Sequence, residues 1–186
     1  MSDWWTQLDT LHARVWDTLE TGVAQRDAAA RFMVLATAGQ TGGAEAGMVV
    51  LRGMDRATAR LFVHTDTLSA KVAELRADPR ATLLVWDRTA QLQIRLKAEI
   101  GIDTGACVGR DWEKIPASAR RVYGNDPEPG GGVAIPEALT VTPDQDRFAV
   151  MTCTLREIDV LHLGPDVHHR AFFQRKTRWS GRWIAP

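Results

Sequence analysis

The chain has 186 residues with 23 basic and 23 acidic side chains, a formal net charge of zero. That length is enough for one domain, 1–186, with a proper core, and the charge balance argues against the basic surface on which nucleic-acid affinity rests. No apolar run is long enough to cross a membrane, and the acidic start M-S-D-W-W-T-Q-L-D is unlike a signal peptide. Cys107 and Cys153 stand far apart in no metal or redox spacing, so no metal site and a cytoplasmic location are expected. Seven tryptophans against one tyrosine implies aromatic packing in the core or between subunits.

Trp4, Leu8, Leu11, Val15 and Leu19 recur at helical spacing and predict an amphipathic helix over the first 20 residues, covering one end of a sheet. Arg31–Thr37 reads as a buried strand followed by the glycine-rich loop A-G-Q-T-G-G. Gly47–Arg52 and Leu61–Thr65 predict two further strands, and Leu68, Val72 and Leu75 one face of a short helix that stops before Pro79. Ala81–Trp86 is a fourth strand. The fifth, Gln91–Ile100, alternates strictly: Leu92, Ile94, Leu96, Ala98 and Ile100 on one face, Gln91, Gln93, Arg95, Lys97 and Glu99 on the other. Trp112, Ile115, Ala119 and Val122 predict a second amphipathic helix. A loop of Pro, Gly and acids follows over 124–146. Phe148–Leu155 and Ile158–Leu163 read as strands and His168–Gln174 as a weaker one; Trp179–Trp183 reads as a tight turn in a closing hairpin. Many strands with few helices predict a mainly β fold, a closed antiparallel barrel with peripheral helices.

The junction L-F-V-H-T-D-T-L-S-A-K, from Leu61 to Lys71, concentrates hydroxyls and a lysine where a strand turns into a helix. A helix N-terminus offers free N–H groups and the positive end of a dipole. Thr65, Thr67 and Ser69 add hydroxyl donors and Lys71 a charge, a set suited to a phosphate monoester. The plainer alternative has Ser69 capping the helix and Lys71 in solvent. Arg52, ending the strand before, and Gln93 with Arg95, on a polar strand face, add weight to a ligand site.

The order V-V-L-R-G-M-D, L-F-V-H-T-D-x-x-S-x-K-x-x-x-L-x-x-x-P, L-L-V-W and Q-I-R-L resembles the pyridoxamine 5′-phosphate oxidase-like FMN-binding split-barrel family. The resemblance is continuous from about Arg31 to Ile100 and returns in I-D-V-L-H-L-G and the closing R-W-I-A-P. It implies a Greek-key split barrel and a homodimer with FMN at the subunit interface. It further implies cofactor contacts at Val49, Val50, Leu51, Arg52, His64, Thr65, Lys71, Gln93 and Ser118, to which the hydroxyl-rich junction adds Ser69. His169 and Arg170 are the candidate catalytic residues. This chain departs from the family pattern at Gly47 and Ala70, where arginines are usual, and its H-H-R-A-F-F replaces the R-x-H segment that grips pyridoxine phosphate. Arg95, Arg120 and Arg121 are the cations that would compensate. The expected function is therefore that of the shorter FMN-binding relatives, a flavin-dependent oxidoreductase of unidentified small-molecule substrate. The alternatives are a non-catalytic flavin carrier or sensor, a haem binder using His162, His168 and His169, and a binder of the deazaflavin F420.

Overall fold

The computed structural model describes residues 3–186. Trp4–Thr6 form a short 3-10 turn before helix α1 (Leu8–Ala24), which runs four residues past the expected end. The main sheet contains strands β1 (Phe32–Ala38), β2 (Ala44–Asp55), β3 (Arg60–Asp66), β4 (Arg80–Asp87) and β5 (Leu92–Thr104), with α2 (Ala70–Ala77) between β3 and β4. After β5 come α3 (Gly109–Lys114) and α4 (Ala117–Arg120). The predicted single helix is thus broken, because Pro116 lacks the N–H that would join the two pieces. The 124–146 loop carries a small ladder of β6 (Asn125–Asp126) and β7 (Thr140–Val141). Strands β8 (Phe148–Leu163), β9 (His168–Gln174) and β10 (Gly181–Ile184) complete the chain.

The two segments expected as separate strands, Phe148–Leu155 and Ile158–Leu163, are one strand. Opposite β5, Glu157 pairs with Lys97 and Leu155 with Ala98, so Arg156 is extruded as a bulge and the strand continues past it. That strand, β8, pairs with β3, β5 and β9. With the order β8-β3-β2-β1-β4-β5 and the additional β5–β8 pairing, six antiparallel strands close into a barrel, and β9 and β10 extend the sheet beyond β8. The alternation of β5 is borne out: Leu92, Ile94 and Leu96 are fully buried, while Gln93, Arg95, Lys97 and Glu99 face outward.

Leu11, Val15, Trp16 and Leu19 of α1 belong to the same core cluster as the barrel interior, so α1 packs against the barrel as its apolar stripe predicts. Trp4 and Trp5 meet His162 near that end; the Trp5 ring stacks on it at 4.7 Å. A second cluster of Val108, Trp112, Tyr123, Phe148 and Val150 holds the α3 segment against the outer face of β3 and β8. The closing hairpin turns earlier than expected, through Arg178 and Trp179, both left-handed, with Gly181 already in β10.

The approach of α1 to the barrel depends on Gly22. A Cβ there would lie 2.7 Å from the backbone carbon of Ala30. Helix propensity alone favours Gly→Ala by up to ~1 kcal/mol, yet the backbone neighbour cannot give way as a flexible side chain would. Gly22→Ala is expected to lower stability by about 1–3 kcal/mol in urea unfolding; a stabilised variant would contradict the close contact.

Candidate functional site

β2 and β3 pair from Asp55–Arg60 to Leu51–Val63, and the ladder ends there. β2 runs on beside β1 to Ala44–Ala38, and β3 runs on beside β8 to Asp66–Phe148. The two strands therefore separate, leaving the backbone of β2 over Ala44–Val50 with no strand on its β3 side. An unpaired strand edge presents alternating N–H and C=O groups, which a ligand can use. Both strands run from one cavity to another: on β2 from Arg52 to Gly47, on β3 from His64 towards Ser69 and Lys71. Arg52 lies five residue steps along β2 from Gly47, on the order of 17 Å.

The first cavity, about 520 Å³, lies on the outer face of β2 and β3 beneath α3 and α4. Phe62, Ile115, Pro116, Tyr123 and Val150 supply apolar walls, and Arg52 and His64 the most useful polar groups. Arg52 is the extra residue of a bulge, because Leu51 pairs with Val63 and Gly53 with Phe62. Bulges re-aim a side chain, and here the guanidinium is exposed on the cavity rim with no ion pair among the described residues. Arg31 is held by the carbonyl oxygens of Leu51 (3.0 Å) and Val23 (3.3 Å). Lys114 is paired with Asp111 at 3.0 Å. Burial, followed by the Arg52 charge, pushes the His64 imidazole down to about 4, so it is neutral at physiological pH.

The second cavity, about 270 Å³, includes Gly47, Ser69, Ala70, Lys71, Pro129 and Gly130 among its walls. The 124–146 loop thus reaches the strand–helix junction. Ser69 occupies the cap position of α2 but makes no capping hydrogen bond. Its hydroxyl donates to the Asp66 carbonyl at 2.8 Å and lies 3.0 Å from Thr65 Oγ1. Both residues are 6% exposed. The two hydroxyls are buried and engaged with each other and with that carbonyl, and Ser69 does not cap α2 with its side chain although it lines the cavity. The Asp66 carboxylate accepts from Arg147 at 3.1 and 3.0 Å and from the Leu68 amide at 2.8 Å, which ties the turn to β8. Lys71 is half-buried and has no ion pair among the described residues.

The other expected residues are distributed as follows. Val49 and Leu51 are 6% and 0% exposed in the barrel core, so their side chains face away from the split, and only Val50 and Arg52 of that run point outward. Ser118 is exposed on α4 and does not line the first cavity, although its neighbour Ala119 does. Gln93 lies elsewhere: it pairs with Leu161 of β8, whereas His64 pairs with Val150, eleven residues away along the same strand. That is on the order of 30 Å along the strand. Arg170 shares the outer face with Gln93, but Asp159 takes both its Nε (3.0 Å) and Nη2 (2.8 Å) and is also bound by Arg95. His169 points to the opposite face of β9, 6.2 Å from His162. Arg120 donates to the carbonyls of Ile115 and Glu113 and covers the Trp112 ring. Of the cations expected to compensate for Gly47 and Ala70, Arg95 and Arg120 are therefore engaged elsewhere. Among the described residues no group of three His, Cys, Asp or Glu side chains is placed to hold a metal ion.

Sequence reasoning missed the parting of β2 and β3, the bulge at Arg52 and the contribution of Tyr123 and Lys114 to the first cavity. The Leu51–Arg52–Gly53 step, a charge and a glycine ending an apolar run, was the one signal for the bulge. Because the His64 pKa lies below its ordinary 6.5 in the fold, the unfolded chain takes up that proton first. Stability from neutral His64 is complete above pH 6.5 and is lost as pH falls towards 4. Between pH 7 and 4.5, wild type should lose about 1 kcal/mol more unfolding free energy than His64→Gln, after allowance for solvent screening. Equal losses in urea titrations would contradict the assignment.

Two solved structures share this fold over all of the chain. One is a pyridoxamine 5′-phosphate oxidase-related, FMN-binding protein from Nostoc punctiforme, with TM-score 0.76, 21% identity and 99% of its own length covered. The other is PhzG from Burkholderia lata, solved in complex with tetrahydrophenazine-1-carboxylic acid, with TM-score 0.76, 17% identity and 98% of its length covered. No curated protein matches the chain. The family model for pyridoxamine 5′-phosphate oxidase matches residues 22–128, which include β1 to β5, both rims of the split and the α2 junction; with more than half of its length matched, the chain belongs to that family.

Proposed function

We propose that the protein is an FMN-dependent oxidoreductase that binds the flavin along the split between β2 and β3 and works as a homodimer. The observation that carries this reading is the unpaired β2 edge, with the Arg52–His64 cavity at one end and the Lys71 junction at the other. An elongated ligand with a flat polar-edged ring and a hydrophilic tail fits that layout. Arg52, Val50 and His64 would hold the ring end, the β2 backbone its polar edge, and Lys71 with the start of α2 the tail. The flavin supplies reversible electron transfer; the chain supplies orientation, electrostatics and exclusion of water. Arg52, without a carboxylate partner, stabilises negative charge at the ring end. Neutral His64 offers a hydrogen bond without adding a second positive charge.

Dimerisation accounts for Gln93. On one chain it is too far from Arg52 and His64 to share a ligand with them. The outer face of β2, β1 and β4 carries Met48, Phe32 and Trp86, which are 61%, 53% and 44% exposed. Val50, Val34 and Leu84 lie between them at register positions Phe32–Val50, Val34–Met48 and Val34–Leu84. A contiguous apolar face of this kind marks an association surface. Gln93 borders it directly, paired with Trp86. Two copies packed through this face bring Gln93 of one towards the β2 edge of the other.

The test is titration of the purified protein with FMN, read by quenching of flavin fluorescence. One site per chain is expected, and Lys71→Ala should weaken binding about tenfold through loss of a single charge-assisted contact. Absence of saturable binding would overturn the proposal. Met48→Glu should convert a dimer into a monomer in light scattering and release bound flavin. A variant that remains dimeric would place the subunit contact on another face.

A further inference from the structure

The junction cavity is short of positive charge for a phosphate site. Its walls include Thr37, Glu45, Gly47, Ser69, Lys71 and Glu74, one cation and two carboxylates. Glu74 is 8% exposed, and its Oε2 accepts a 2.6 Å hydrogen bond from Thr37. The hydroxyl protons nearest the cavity are already used. Ser69 donates to the Asp66 carbonyl, which leaves its oxygen as the acceptor for Thr65. Arg147 is held by the Asp66 carboxylate, with its side chain 17% exposed. A phosphate monoester carries a charge between −1.5 and −2 at neutral pH. Here it would enter beside two carboxylates, offset by one ammonium and the N-terminal amides of α2. A neutral polyol meets the opposite balance: carboxylate oxygens accept its hydroxyls, while Lys71 and the first-turn amides of α2 donate to them.

We propose that this corner recognises the hydroxyl groups of the flavin side chain rather than a terminal phosphate, so that riboflavin is bound about as well as FMN. The proposal rests on the flavin reading given above. It makes the flavin an exchangeable ligand selected by its ring and polyol chain, with Lys71 giving FMN only a small advantage. The space to change this preference exists, because a Cβ on Gly47 would meet no atom within 4 Å.

The experiment is parallel titration of the full chain with riboflavin and with FMN at neutral pH and about 0.15 M salt, where exposed charges act over a limited range. The expected dissociation constants differ by no more than about tenfold. Glu45→Gln, at an exposed position, and Gly47→Arg, into open space, should each move the preference towards FMN several-fold; far-UV circular dichroism checks that both fold. A preference for FMN above tenfold in wild type, or a preference unmoved in both variants, overturns this inference while leaving the flavin site intact. Failure of either flavin to bind overturns the flavin site itself.

Discussion

The pairing of β8 with β5 over almost the whole of β5, from Leu92–His162 to Thr104–Ala149, is the constraint on which the rest of the molecule depends. It closes the barrel and fixes the position of every other strand. Because β3 is bonded to β8 as far as Asp66, and β2 to β1 as far as Ala44, the two cannot follow each other beyond Leu51–Val63. The split is therefore a consequence of competing pairings, and α2 with its preceding turn occupies the far end of the gap. Arg147, immediately before β8, binds Asp66 at the end of β3, so the entry to the strand that closes the barrel also holds the rim of the site.

The chain carries equal numbers of acids and bases, and several of its cations are held in ion pairs. Arg95 and Arg170 share Asp159, Lys97 meets Glu157, Arg156 meets Glu99 and Arg147 meets Asp66. An exposed pair such as Arg156–Glu99 adds little stability, but every one of these pairs removes its cation from any ligand site. Arg52 and Lys71 are among the cations with no carboxylate partner among the described residues, and what sets them apart is that they lie at opposite ends of the same split. The nearby Glu45 and Glu74 then set how much negative charge the Lys71 end tolerates.

The barrel was legible because hydrophobic alternation is a one-dimensional record of which face a strand buries. In β5 that record is unbroken, and each position from Leu92 to Ile100 lies where it predicts. The run Met48–Leu51 has no such alternation, so the inward direction of Val49 and Leu51 could not be separated from the outward one of Val50. The break at Pro116 was written in the sequence yet outweighed by the apolar spacing across it. Bulges at Arg52 and Arg156 depend on the register of a partner strand far away in the chain. The hydroxyls of Thr65 and Ser69 were visible as residues, but their hydrogen-bond direction depends on a carbonyl that the turn places beside them. The distance between Gln93 and Arg52 is likewise a property of the closed sheet and not of sequence order.

The position of a bound flavin is the most direct test. A crystal structure of the protein grown with FMN should show the ring lying along the unpaired edge of β2 near Arg52, the side chain running to Lys71 and Glu74, and Gln93 arriving from a second copy. Flavin held elsewhere, with the edge between Ala44 and Val50 bare and Lys71 directed into water, would contradict it.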